Sequence, residues 1–334
     1  MIDISNEAVL NVVRYNMGLR PGESVLVMSD VPSQKDWVGP EAKLRKLIDR
    51  AHFARKVHAI LCEHLHGHKI DYACYPSTGM SGTEPPKDTA ELLLQYDVIL
   101  LMTTHSLSHT DAREEASRLG HRIASMPGIE PGMFTPYGPM AADYAQVEKD
   151  CLRIAAVLDA GSDARVTTPL GTDLRFSIAG RKGGPDTGVY RDTGDWGNLP
   201  GGETFAAPLE GTAQGALVVG AGWYPGLAEN MTLTFADGLV TDVKGGGAVG
   251  DDFRRLLFSP DSPAHRRNCA ELGVGTNPNA KRVDNTLEAE KIKGTVHIAI
   301  GDSSHLGGVT PSDLHADFVL EHPSLYIDGE LVAL

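Results

Sequence analysis

The last third of the chain sets residues that bind divalent ions inside short apolar runs. Thr295-Val296-His297-Ile298-Ala299-Ile300-Gly301 is a strand-like run interrupted by one histidine. In Leu314-His315-Ala316-Asp317-Phe318-Val319, His315 and Asp317 stand two positions apart. Positions i and i+2 of a strand face the same side, so both side chains can reach one ion. Ala270-Glu271-Leu272-Gly273-Val274-Gly275 puts a carboxylate in an apolar, glycine-rich segment, and Gly197-Asn198-Leu199-Pro200-Gly201-Gly202-Glu203 ends a glycine turn on another. Each alone has an ordinary reading: a core histidine bonded to a carbonyl, a histidine paired with its neighbouring acid, or a capping carboxylate. Together they are harder to dismiss, because an acid buried in an apolar run needs a cation or a proton. Glu203, Glu271, Asp317, His297 and His315 would suit zinc, cobalt, manganese or ferrous iron. They would also suffice for two ions with one carboxylate bridging, a pair that polarises a carbonyl and activates a bound water.

Other motifs carry less. Gly245-Gly246-Gly247-Ala248-Val249-Gly250 matches GxGxxG in form. It follows a hairpin-like pair of strands, though, where a dinucleotide site needs a βαβ unit. His64, His66 and His68 lie in a polar run and read as a solvated loop. His105 and His109 follow a strand-like run and are candidates to line a cleft. HExxH, GxSxG and GxxxxGK[ST] do not occur, so the common zinc-protease, serine-hydrolase and phosphate-loop readings lack their signatures.

The elements that must position these residues fall into two textures. In the first half, helix-like segments at Asn6–Leu19, Glu41–Ala54, Ala90–Gln95 and Asp111–Leu119 alternate with apolar runs. Those runs, at 24–28, 57–61, 96–102 and 121–125, read as buried strands of a parallel α/β sheet. Tyr144–Ala160 reads as a linking helix. Beyond it, short strands at 164–168, 174–178, 215–219, 231–235 and 239–243 are separated by Gly/Asp turns. One or two helices are expected near Asp251–Leu257 and Asn268. The expected organisation is an α/β domain with a parallel sheet over 1–158, and an α+β, β-rich metal-binding domain over 159–334.

With 30 basic against 44 acidic side chains, the net charge of −14 repels nucleic-acid backbones and anionic membranes alike. The sequence has no secretory n-region and no apolar run long enough to span a membrane. Cys62, Cys74, Cys151 and Cys269 form no CxxC pair, which points to reduced thiols and a cytoplasmic protein.

These segments together resemble the aminopeptidase T / aminopeptidase S family of thermophilic metallopeptidases. The resemblance is densest in Pro169–Leu174, Gly197–Pro208, Leu209–Ala213, Ala270–Pro278, Gly294–Gly301 and Leu314–Phe318. It implies a homodimer and two divalent ions (Zn, Co or Mn), with Glu203 and His297 serving one, His315 and Asp317 the other, and Glu271 bridging as general base. In the peptidases a tyrosine seven positions beyond the strand histidine assists catalysis. Ser304 stands there in this chain, and the neighbouring His305 is the candidate acid or oxyanion donor. The function so implied is metal-dependent hydrolysis of an amide in a small molecule or short peptide.

A second branch with this resemblance contains 2,5-dihydroxypyridine 5,6-dioxygenase, which opens an aromatic ring at one Fe(II) on a two-His-one-carboxylate triad. His315 and Asp317 would supply two of those ligands, with His265 the nearest candidate for the third. A relative that binds its ligand without metal is the remaining alternative.

Overall fold

Val25–Val31 (β1) and Val98–Leu101 (β3) are short apolar runs of the kind that a sheet covered on both faces demands. In the structure, a computed structural model that describes residues 3–334, they lie side by side in a five-stranded parallel sheet. Its other strands are Ile70–Pro76 (β2), Arg122–Ser125 (β4) and Trp196–Asn198 (β8), in the order β2-β1-β3-β4-β8. Helices Glu41–His64 (α2), Lys87–Leu93 (α3) and Asp111–Arg118 (α4) form the crossovers, and Asn6–Asn11 (α1) packs on α2. Helix α2 packs on β1, β2 and α1, whereas α3 packs against α4.

Two expectations are corrected here. Residues 57–61 are not a strand but the continuation of α2. Phe53, Ala54, Val57, Ile60 and Leu61 are buried at the three- and four-residue spacing of a helix face. The strand lies instead at Ile70–Pro76, a half-exposed edge whose pattern is too polar to stand out. The first helix is also shorter than expected, with its α-helical part ending at Asn11 and a π-helical turn over Val12–Asn16.

The chain divides into two compact units, and the division is not the expected one at 158. It falls between Tyr144 and Ala145, and Gly188–Gly201 returns to the first unit. Two physical reasons account for it. Ile154 and Leu158 of helix Tyr144–Ala160 (α5) are buried in the core of the second unit. Trp196–Asn198 completes the parallel sheet, with the Trp196 ring 3.7 Å beneath the Arg113 guanidinium and edge-on to His109.

The second unit holds two antiparallel sheets. One is built from Asp163–Thr167 (β5), Asp173–Ser177 (β6), Gln214–Val219 (β10), Met231–Ala236 (β11), Leu239–Gly245 (β12), Ser324–Ile327 (β16) and Glu330–Leu331 (β17). Its order is β12-β11-β10-β6-β5-β16-β17. The other consists of Gly184–Asp186 (β7), Glu203–Ala206 (β9), Cys269–Gly275 (β13), Val296–Gly301 (β14) and His315–Leu320 (β15), in the order β15-β14-β13-β9-β7. Residues of both sheets share one apolar core with α5 and with Gly247–Phe258 (α6). The glycine run after β12 leads into α6 from an antiparallel pair, so it is not a dinucleotide turn. The helix expected near Asn268 is a 3-10 turn over Ala264–Arg267 that feeds strand β13. A short helix, Thr286–Ala289 (α7), precedes β14. No helix of the described residues is long and apolar enough to cross a membrane.

Candidate metal centre

Strands β13, β14 and β15 are buried almost throughout, yet their two faces differ in chemistry. Leu272, Val274, Val296, Ile298, Ile300, Ala316, Phe318 and Leu320 point into the core. The opposite parity carries Glu271, Gly273 and Gly275, then His297, Ala299 and Gly301, then His315 and Asp317. The register places Glu271 opposite Ala299 and Ala299 opposite Asp317, so two carboxylates face each other across one alanine. His297 lies opposite Gly273, where an added Cβ would sit 1.9 Å from His297 Nε2. Only glycine at 273 leaves room for that ring. Glu203 pairs with Gly275 on one side and Asp186 on the other. It is delivered by Gly202, whose φ of +118° favours glycine.

The five expected side chains converge as two groups that share Glu271. In each, one ligand atom per residue lies within 4.8 Å of the others: Glu203, Glu271 and His297, and Glu271, His315 and Asp317. His297 Nε2 is 3.4 Å from both Glu203 Oε2 and Glu271 Oε1. His315 Nε2 is 3.1 Å from Glu271 Oε2 and 3.3 Å from Asp317 Oδ1. His315 Nδ1 donates to the Asp302 carbonyl oxygen at 2.8 Å, which orients the ring and turns Nε2 toward the acids. The Asp302 side chain is engaged elsewhere, accepting from Ser304 Oγ and the Ser312 amide.

Burial opposes every charge in this cluster, and the neighbours decide the outcome. For Glu271, hydrogen bonds and charge from His297 and His315 outweigh burial and hold the carboxyl well below the usual range. Against the same burial, Glu271 and Glu203 lift His297 to about 9, and Asp317 and Glu271 hold His315 well above its ordinary value. Glu290 moves the other way, raised to about 8 by burial and by the charges of Asp317 and Glu203.

A divalent ion fits these residues. Glu203 Oε2 and Asp317 Oδ1 are buried carboxylate oxygens without a hydrogen-bond partner, and His297 Nδ1 is a buried ring nitrogen without one. Carboxylate oxygens and imidazoles suit zinc, manganese, cobalt and ferrous iron.

Two sequence expectations lie outside the cluster. His265 sits on the 3-10 turn before β13, partly exposed and 3.8 Å from Asp313. It belongs to neither group, and Glu271 stands where the third ligand was sought. His305 lies exposed on a turn over Ser304–Leu306, also outside both groups. His64, His66 and His68 form no ligand group among the described residues. His64 and His68 bond to the carbonyls of Ile60 and Glu23.

Sequence reasoning missed Lys291. Its side chain is fully buried, with Nζ 2.6 Å from Glu203 Oε1, 3.1 Å from Glu290 Oε2 and 3.9 Å from Asp186 Oδ2. The available signal was a Glu-Lys pair just upstream of the His297 strand, but nothing local marks that lysine as buried.

The fold is thus a parallel α/β unit followed by an antiparallel two-sheet unit, with a carboxylate–imidazole cluster on one of its sheets. The chain belongs to the NicX family, described as 2,5-dihydroxypyridine 5,6-dioxygenase, which matches residues 10–334. The 2,5-dihydroxypyridine 5,6-dioxygenase of Pseudomonas putida KT2440 is 23% identical over 254 residues, covering 70% of this chain and 69% of that protein. The solved 2,5-dihydroxypyridine dioxygenase from the same organism superposes with a TM-score of 0.73 at 17% identity, over 99% of this chain and 97% of that one. Wild-type AmpT from Thermus thermophilus superposes with a TM-score of 0.60 at 16% identity, over 98% and 96%. The peptidase likeness is therefore one of fold, and the family is named for a dioxygenase, the second of the readings drawn from sequence.

Proposed function

We propose that the protein is a ring-cleaving dioxygenase that acts on a dihydroxylated N-heteroaromatic with one ferrous ion held by Glu271, His315 and Asp317. The observation that carries this reading is the convergence of those three side chains from β13 and β15, the two strands that flank β14, in a chain whose family is named for that reaction. The donor set differs from the expected triad, because Glu271 takes the place of a second imidazole. When bound, ferrous iron supplies the one-electron chemistry through which dioxygen reacts with an aromatic ring.

The protein's own contribution is placement. The Asp302 carbonyl keeps the proton of His315 on Nδ1 and Nε2 toward the ion. Ala299, which stands between Glu271 and Asp317 in register, puts no bulky side chain between the two carboxylates. The substrate class rests on the family name, and its ring hydroxyl is the group through which such a substrate would reach the ion.

The test is oxygen uptake by protein loaded anaerobically with Fe(II), using 2,5-dihydroxypyridine as the first substrate. One dioxygen consumed per ring lost is the expected result. The Glu203–Glu271–His297 group favours a second reading, two-ion amide hydrolysis. Turnover of leucine amides by zinc-, cobalt- or manganese-loaded protein, with no oxygen uptake on any dihydroxylated ring, would replace the first reading with the second.

A further inference from the structure

Lys291 is a cation built into the cluster. Its backbone is fixed on both sides: its amide donates to the Glu288 carbonyl, and its own carbonyl accepts from Asn277 N. The side chain therefore enters the cluster from a rigid base. Oxygens of three acidic side chains surround its ammonium: Glu203 at 2.6 Å, Glu290 at 3.1 Å and Asp186 at 3.9 Å.

Glu203 is the link between this lysine and the ion groups. One of its oxygens is bonded to Nζ, while the other faces His297 Nε2. A single carboxylate thus separates the ammonium from the position that an ion on Glu203, Glu271 and His297 would take. No lysine approaches the second group, Glu271, His315 and Asp317, among the described ion pairs. At separations of about 5 Å in a partly buried site, a unit charge repels a dication strongly enough to change affinity by orders of magnitude.

We propose that Lys291 keeps the centre mononuclear: its ammonium satisfies Glu203 and repels an ion from the Glu203–Glu271–His297 group, leaving Glu271, His315 and Asp317 as the occupied set. The proposal rests on the one-ion reading above and assigns the lysine the part that a second ion would otherwise play. It also reverses the sign of what a lysine that merely orients Glu203 would do.

The experiment is an anaerobic titration of the full chain with Co(II) or Zn(II), read by calorimetry and by metal content after gel filtration. The wild type is expected to hold one tight ion. Lys291→Met is expected to bind a second ion at least roughly tenfold more tightly than the wild type does, and Lys291→Arg, which keeps the charge, to show no gain. If Lys291→Met fails to fold, the pair Lys291→Met/Glu290→Gln removes an acid along with the ammonium and is expected to show the same gain. No gain, or weaker second-ion binding, in the variants that fold would overturn the role of Lys291 and leave the dioxygenase reading to its oxygen-uptake test. Two equally tight ions in the wild type would overturn both the lysine's role and the one-ion count.

Discussion

The parallel sheet of the first unit and the sheet of the second that carries the acid–imidazole cluster both bury their central strands, yet the residues they bury differ in chemistry. In β1 and β3 the residues Val25 to Met28 and Val98 to Leu101 are apolar at both parities, and the buried Ser29 and Asp30 follow only toward the end of β1, where Asp30 accepts from the Thr104 amide. In β13, β14 and β15 one parity is apolar, and the other carries the ionisable Glu271, His297, His315 and Asp317 among small residues and Val319. The first pattern is what helices on both faces require. The second has one face in the core and the other given to groups that cannot be buried without partners. Burial alone does not distinguish the two sheets; the identity of every second residue does.

If that difference is functional, a core truncation in the first sheet and a ligand truncation in the second should fail in different ways. The largest effect on stability is expected from Leu100→Ala. Leu100 is buried on both sides in the middle of the parallel sheet, and its loss should cost about 2–5 kcal/mol. Denaturant unfolding would measure it, with ion affinity unchanged. His315→Ala should do the reverse, lowering ion affinity by about a hundredfold or more at little cost to folding, because that side chain is partly exposed. His265→Ala serves as its control and should leave the affinity where it was. Equal losses in the two histidine variants would remove Glu271, His315 and Asp317 as the ligand set.

This contrast also marks how far the sequence could be read. The parallel unit was legible because apolar runs alternate with helix-spaced segments. Two of its strands were not legible: Ile70–Pro76 lies on an edge and is polar enough to pass for a loop, and Trp196–Asn198 is only three residues long and stands far along the chain from the rest of the sheet. The ligand strands at 296–301 and 315–320 were legible because an ionisable residue inside an apolar run is costly. Strand β13 was only partly legible: Glu271 stands out in an apolar, glycine-rich segment, but the glycines carry no strand signal of their own. Those glycines turn out to be its cross-strand requirement. Gly273 leaves room for a histidine 24 positions later, a relation that depends on register and that no local pattern displays. Lys291 was illegible for the same reason: the acids around it come from β7, from β9 and from its own neighbour.

Gly273→Ala sharpens the comparison at a single methyl group. The new Cβ would fall 1.9 Å from His297 Nε2 and 2.1 Å from Cε1, so the ring must move. Overpacking of this kind costs about 1–3 kcal/mol. The expected result is a stability loss in that range together with weaker ion binding, because Glu271 is shared with the displaced histidine. A glycine in an ordinary exposed turn, such as Gly67, meets nothing within 4 Å, although its φ of +92° would add backbone strain. Unchanged ion binding in Gly273→Ala would show that His297 and Glu271 do not depend on each other.

The smallest effect probes how closed each unit is, through the cysteines. Cys62 and Cys74 of the first unit are exposed, whereas Cys151 and Cys269 of the second are buried. Burial pushes both buried thiols up to about 12, so almost no thiolate exists there at pH 8, and the thiolate is the reacting form. Cys62 is raised as well, by burial and by the charge of Asp71, but a reagent can reach it. A disulfide reagent at pH 8 should therefore modify two thiols per native chain promptly and the other two at least roughly tenfold more slowly, with all four reacting in denaturant. Cys151 lies 3.1 Å from Thr276 Oγ1, in the segment just beyond β13, and Cys269 begins β13 itself. Prompt reaction of a third thiol would mean that the ligand-bearing sheet opens on the timescale of the assay. The contrast between the two sheets would then be one of mobility as well as of chemistry.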